Sequence, residues 1–369
     1  MKVGVLTSSR ADFGIYLPLI NKLKADPYFD LEIIVFGTHL SKEHGYTLNE
    51  IISYGFSNIH KIDTLPNGDS PMDISSSMGK TIEHFSAFWN EQQFDLVFAL
   101  GDRYEMFSAV ISSSPFNIDI AHIHAGEVTL GAIDNAFRHG ISHLSKILLT
   151  SSEAYRLRAN QIVDNNKLIF NVGALSIDNL SHQKLLSVDA FKAKFDIDLS
   201  IPSILSTFHP ETVSLNKNEE YIYELMDAFN ALSEKYQIII TMPNADTMGN
   251  VIRKIIIKRS EEISNIKLVE SFGMEGYLSC MKHCSFMLGN TSSGFIEANY
   301  FPKYVINIGD RQKGRIITEN IFNIPVDKSK IMECVGKIEE SKKLSYKGIY
   351  GEGNTATEII KVIKKIYAQ

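Results

Sequence analysis

Short runs of β-branched and aliphatic residues, each followed by a longer amphipathic stretch, recur from one end of the chain to the other. Parallel strands joined by crossover helices require that alternation, and few other folds do. In the first half the runs are Val3–Thr7, Leu31–Phe36, Leu96–Leu100, Ile118–Ile123, Ile147–Thr150 and Leu168–Val172. In the second they are Ile204–Thr207, Gln237–Thr241, Ile266–Val269, Phe286–Leu288 and Tyr304–Ile308. Helical spacing fills the gaps: Leu17, Ile20 and Leu23 share one face of Ile15–Lys24. The pattern repeats without a residue-level repeat, which predicts an α/β protein of two Rossmann-like, doubly wound domains. A length of 369 residues is more than one ordinary core holds. Polar turn residues over Gly173–Asn179 mark a boundary, giving domains of residues 1–173 and 174–350 and a tail of 351–369. Within the tail, Asn354–Tyr367 reads as an amphipathic helix. Pro66–Ser77, rich in Ser, Pro, Gly and Asp, reads as a mobile loop.

Composition narrows the class. Hydrophobic residues make up 44 % and charged residues 22 %, ordinary values for a globular chain. The net charge is −6, from 37 basic and 43 acidic residues, with no long basic run. That balance argues against nucleic acid or a membrane surface as partner and leaves an anionic small ligand open, since a few focused arginines suffice. No apolar run is long enough to cross a bilayer, and MKVGVLTSSR lacks the apolar core of a signal peptide. The three cysteines, Cys280, Cys284 and Cys334, read as reduced thiols of a cytoplasmic protein. Cys280 and Cys284 have metal-compatible spacing but no second pair, so they read as small buried hydrophobes.

Chemistry concentrates where the apolar runs end. Gly101-Asp102-Arg103 follows one run, and His124-Ala125-Gly126-Glu127 follows the next. In open α/β sheets ligands bind beyond the carboxyl ends of the strands. Asp134 and Arg138, four apart, share a helical face and can support each other. Any one of these charges is equally a solvated loop residue; three acid-bearing clusters behind apolar runs point to an active site. After the first run, Thr7-Ser8-Ser9-Arg10 leads into a helix and can offer N–H groups and a guanidinium to an anion. An N-capped helix start explains that loop as well. In the second half His209 follows a strand, as does Asn244 in Met242-Pro243-Asn244. Gly289-Asn290-Thr291-Ser292-Ser293-Gly294 runs from a strand toward a helix with Glu297 in its first turn, a geometry that suits a phosphate and a ribose. Gly309-Asp310-Arg311-Gln312-Lys313-Gly314-Arg315 places three cations after a strand.

Taken together, SSRADFG, GDRYE, HIHAGE, GAIDNAFRHGISHLSK, FNVGALSIDN, TFHPET, PNADT, GNTSSGFIE and INIGDRQKGR, with GEGN near the end, resemble the hydrolysing UDP-N-acetylglucosamine 2-epimerases of the NeuC type. The motifs run in family order from residue 8 to residue 315. The resemblance implies a GT-B architecture: two Rossmann-like domains facing across a cleft, UDP mainly on the second, and a C-terminal helix crossing back to the first. It makes Asp102 and Asp134 catalytic acids or bases, with Arg138 and Arg103 in support. It assigns Arg10, His209, Asn244, Ser292, Ser293, Glu297 and Arg315 to UDP. One departure stands out: many relatives carry a catalytic Glu where this chain has His124. Either His124 or Glu127, three residues on, fills that role.

The implied reaction converts UDP-N-acetylglucosamine and water to N-acetylmannosamine and UDP, on the way to sialic acid. UDP is eliminated to give a glycal, and rehydration inverts C2. It calls for no metal and no redox cofactor. The same resemblance implies a homo-oligomer, dimer or tetramer. The same reaction on UDP-2,4-diacetamido-2,4,6-trideoxyglucose, a non-hydrolysing epimerase, a GT-B glycosyltransferase and a non-catalytic nucleotide-sugar sensor are the competing readings.

Overall fold

The computed structural model describes residues 1–368 except 43–44, 65–67, 165, 183, 244–246, 343 and 346–347. The chain divides into two compact units. The first comprises Met1–Glu127, Asp134–His182 and Ile349–Gln369; the second comprises Val128–Ile133 and Gln183–Gly348.

The first unit alternates strand and helix: β1 (Lys2–Thr7), α1 (Arg10–Ala25), β2 (Asp30–Phe36), α2 (Leu48–Ser53), β3 (Ile59–Ile62), α3 (Pro71–Glu91) and β4 (Leu96–Leu100). It continues with α4 (Tyr104–Ser113), β5 (Ile120–Ile123), α5 (Asp134–Leu144), β6 (Ile147–Thr150), α6 (Glu153–Ile162), β7 (Leu168–Asn171) and α7 (Leu175–His182). All pairings are parallel, in the order β3-β2-β1-β4-β5-β6-β7. Central strands such as β4 are buried at every position, because helices cover both faces of a parallel sheet. Phe36, Phe85, Trp89 and Val97 pack together on one face.

The second unit holds α8 (Val188–Phe195), β8 (Ser203–Thr207), α9 (Asn218–Leu232), β9 (Gln237–Thr241), α10 (Gly249–Ser260) and β10 (Ile266–Val269). After these come α11 (Gly273–His283), β11 (Phe286–Gly289), α12 (Glu297–Tyr300), β12 (Val305–Ile308), β13 (Ile321–Ile324) and α13 (Lys328–Glu340). Its parallel sheet runs β10-β9-β8-β11-β12-β13. Cys280 and Cys284 lie on and just after α11, inside its core, and burial pushes both thiols up. The two doubly wound α/β domains expected from the strand grammar are therefore present.

The last helix, α14 (Thr355–Tyr367), returns to the first unit and packs on α1 and α7. Asp178 of α7 accepts the Thr355 and Ala356 N–H groups at 2.8 and 2.7 Å, capping it from a distant element. That bond keeps α7 with the first unit, so the contact boundary falls after His182, where the sequence reading places it after Gly173.

Two expectations differ from the structure. Residues 71–77 are not a loop but the opening turns of α3, started by Ser70, whose hydroxyl accepts from Asp73 N–H, and by Pro71 in the first turn. Residues 65–67 of that stretch lie outside the described residues. Edge strands β3 and β13 also form, although only one residue of IHKI and one of IFNI is fully buried. Among the described residues no helix is long and apolar enough to cross a membrane.

Candidate active site

In each sheet the chain order reverses between two neighbouring strands, β1 and β4 in the first unit and β8 and β11 in the second. Loops that leave such a switch point diverge and open a crevice at the strands' carboxyl ends. Arg10, Asp102, Arg103, His209, Ser292, Ser293 and Glu297 follow these four strands, while His124, Glu127, Asp134 and Arg138 follow β5 and Arg315 follows β12; Asn244 lies outside the described residues.

In the first unit Asp102 follows β4, and His124 and Glu127 follow β5. Arg138, on α5 and 2 % exposed, joins them: one terminal nitrogen donates to Asp102 and the other to the His124 carbonyl at 3.0 Å. Its Nη1 also lies 3.8 Å from Glu127 Oε2. The partner expected for Arg138 was Asp134, one turn away; the recorded bonds run across the sheet ends instead. Glu127 is 1 % exposed, and its Oε1 accepts the Ser151 hydroxyl at 2.7 Å and faces His124 Nδ1 at 3.0 Å. His122, also fully buried, contacts the Gly101 carbonyl through Nε2 at 2.8 Å and the Ser142 hydroxyl through Nδ1 at 2.9 Å. Burial depresses its imidazole to about 3, so it is a neutral structural ring that ties β5 to the loop carrying Asp102. Arg103 is steered by Glu105, which accepts its Nε at 3.2 Å and its Nη2 at 2.9 Å. Asp134 is the first residue of α5, half-buried.

The loop after β1 resolves its two readings. Its N–H groups are already used: Asp12 accepts the Ser8 N–H at 2.9 Å and the Ser9 N–H at 3.1 Å, and Ser9 caps α1 in return. Burial alone would raise the Asp12 carboxyl, but hydrogen bonds and charge from His39, with Thr7 and Ser8, bring it below the usual range. The loop is a capping box, with Arg10 half-buried as the first helical residue.

The second unit joins three strand-end loops into one frame. Asn290, fully buried after β11, binds both ends of the His209 peptide unit after β8. Gln312, after β12, donates to the Asn290 carbonyl at 2.8 Å and accepts Arg315 Nε at 2.6 Å. Arg315 is 7 % exposed, with its guanidinium 6.0 Å above the Phe295 ring. Gly289 is required at the switch point, because a Cβ there would overlap the Thr207 carbonyl of the neighbouring strand. Ser292 is exposed and Ser293 half-buried. Ser293 Oγ lies 2.6 Å from the Tyr277 hydroxyl, whose phenol burial pushes up to about 12. Ser292–Gly294 makes a single 3-10 turn, and the helix expected to carry Glu297 in its first turn follows as α12, only four residues long.

Val128–Ile133, the link between Glu127 and Asp134, belongs to the second unit and seats on the loop after β12. Leu130 N–H donates to the Lys313 carbonyl at 3.0 Å and Ile133 N–H to the Thr212 hydroxyl at 2.9 Å. A Cβ on Gly131 would overlap the backbone of Asp310 and Arg311. Beneath that loop Glu211 accepts the Asp310 N–H at 2.6 Å, and burial raises its carboxyl. Asn290, Gln312, Tyr277 and Glu211 were not singled out by sequence reasoning, although all but Tyr277 lie inside the motif strings. No group of three or more metal-ligating side chains occurs among the described residues.

The model of one protein family, described as UDP-N-acetylglucosamine 2-epimerase, matches residues 21–364. The Escherichia coli polysialic acid biosynthesis protein P7 is 32 % identical over 98 % of this chain and 93 % of its own. A Campylobacter jejuni protein named GDP/UDP-N,N'-diacetylbacillosamine 2-epimerase (hydrolyzing) is 33 % identical over 88 % of this chain and 85 % of its own. Among solved structures, the Neisseria meningitidis UDP-GlcNAc 2-epimerase bound to UDP-GlcNAc superposes with a TM-score of 0.82 at 17 % identity, covering 99 % of this chain and 100 % of that one, a likeness of fold.

Proposed function

The chain belongs to the UDP-N-acetylglucosamine 2-epimerase family, and from that membership we propose that it is a hydrolysing member, converting UDP-N-acetylglucosamine and water to N-acetylmannosamine and UDP. The observation that carries the reading is the cluster of half-buried Asp102 with buried His124, Glu127 and Arg138 at the carboxyl ends of β4 and β5. Proton-transfer groups on more than one loop are what inversion at a carbon demands, because the proton leaves from one face and returns on the other. Names of the relatives, one hydrolysing and one tied to polysialic acid, support a free sugar as product and a sialic-acid-type route.

In the proposed mechanism the uridine diphosphate is held by Ser292, Ser293, Glu297, His209 and Arg315, with Asn244, Arg10 and Arg103 completing the ligand set. A base removes the C2 proton while the C1–O bond to the diphosphate breaks, its electron pair leaving with UDP and a C1=C2 double bond forming. Arginines and hydroxyls stabilise the charge that develops on the diphosphate. Water then adds at C1, an acid returns a proton to C2 from the opposite face, and the free sugar is released. Asp102 and Asp134 are the acid–base carboxyls, and Arg138 fixes Asp102. The diacetamido-trideoxy analogue of the sugar is the second reading, favoured by the Campylobacter relative's name. Supplying each UDP-sugar alone and identifying the products by NMR tests the assignment. A free, C2-inverted sugar with UDP is expected; a UDP-linked epimer, or no reaction without an acceptor, contradicts it.

A further inference from the structure

The imidazole at the carboxyl end of β5 is held in a way that packing alone does not require. His124 has φ of +66°, a left-handed backbone that non-glycine residues rarely adopt. Its ring is buried, at 7 % exposure for the residue. Nδ1 is 3.0 Å from Glu127 Oε1, the oxygen that also accepts the Ser151 hydroxyl at 2.7 Å. Nε2 is buried and takes no hydrogen bond among the described residues. His122, two residues earlier and on β5 itself, has both ring nitrogens engaged. The charged and titratable groups around the ring are Glu127, Arg138, Asp102 and His122.

Resting on the functional reading above, we propose that His124 Nε2 is the base that removes the C2 proton, and that Glu127 is a positioning residue that sets the ring's tautomer. An ionised carboxylate only accepts hydrogen bonds, so the Nδ1 that faces it carries the ring proton. Nε2 is then left with a lone pair. Glu127 itself is enclosed by Ser151, His124 and Arg138 and offers no open face to a sugar. Imidazole is intrinsically a stronger base than carboxylate by about two pKa units, and removal of a proton from carbon is the step that most needs one. As the C2–H bond breaks, Nε2 gains the proton and the ring becomes imidazolium, its charge balanced by Glu127. The proton passes to water after UDP has left, while a carboxyl on the other face supplies C2.

Three measurements test this. His124→Asn keeps a residue that tolerates the left-handed backbone. It should lose 100-fold or more in turnover of the UDP-sugar, about the scale of a lost general base, with UDP affinity by calorimetry unchanged. The same variant should still hydrate the synthetic 2-acetamidoglycal in the presence of UDP, because that half-reaction needs no proton removed from C2. Nitrogen-15 NMR of labelled histidine should show the Nδ1–H tautomer at His124, lost or mixed in Glu127→Gln. Turnover of His124→Asn within threefold of the parent, equal loss of both half-reactions, or a tautomer indifferent to Glu127→Gln each overturns the inference. If instead the unmodified protein releases no C2-inverted free sugar, it is the functional reading that fails.

Discussion

Asn290 holds His209 from both sides: its Oδ1 accepts the His209 N–H at 2.7 Å and its Nδ2 donates to the His209 carbonyl at 2.8 Å. The two residues are 81 positions apart and sit on adjacent strand ends at the second unit's switch point. Asn290→Ala would leave two buried backbone groups unpaired, at about 1–3 kcal/mol each. Denaturant unfolding should show a loss in that combined range. UDP binding should weaken as well, because without its side-chain bonds the Asn290 backbone can shift, and Gln312, the partner of Arg315, donates to that backbone carbonyl. A variant as stable as the parent would show that the frame is not held this way.

Ser292 and Ser293 test the cradle. Replacing both by alanine should weaken UDP by roughly 1–3 kcal/mol, the net worth of two ordinary hydrogen bonds. Calorimetry without added divalent metal reads this directly, and unchanged affinity contradicts the assignment.

Gly131 tests the seat of the 128–133 link. An added Cβ has backbone rather than a flexible side chain in its way, so Gly131→Ala must displace the Asp310–Arg311 loop or lift the link. A stability loss of about 1–3 kcal/mol is expected from such overpacking, with a raised UDP dissociation constant. Parent-like values for both would mean that the seat is not rigid.

His122 sets a pH dependence. Its folded-state value of about 3 lies below the ordinary 6.5, so the fold favours the neutral ring. Its contribution is fully present above pH 6.5 and is lost as pH falls from there toward 3, where the unfolded chain binds a proton that the folded one refuses. Over that window it adds a slope of about 1.4 kcal/mol per pH unit. His122→Asn should unfold with a shallower pH dependence between pH 6 and 4; equal slopes would place the sensitivity elsewhere.

Much of this was legible in the sequence because strand ends announce themselves. Apolar runs that stop at Gly101-Asp102-Arg103 and at His124 locate the first unit's cluster before any coordinate is known. The partnerships were not legible. Arg138 was matched to Asp134 by helical spacing, yet it bonds across the sheet to Asp102, a neighbour created only by the order of β4 and β5. Asn290 lies within a motif string, but its role depends on β8 and β11 being adjacent. Residues 71–77 show the limit of composition: three serines, a proline and an aspartate suggest a loop, while the cap at Ser70 makes them a helix start. Edge strands β3 and β13 escaped notice because three of the four residues in each are not fully buried, so no apolar run marks them.

The central claim is that chemistry occurs at C2 by removal and return of a proton, and one experiment reads it directly. Turnover of UDP-N-acetylglucosamine in deuterated water should give free N-acetylmannosamine with one deuterium at C2. Asp102→Asn should slow that product by about 10²–10⁴-fold while UDP still binds. Free sugar that retains its original C2 hydrogen would contradict the account.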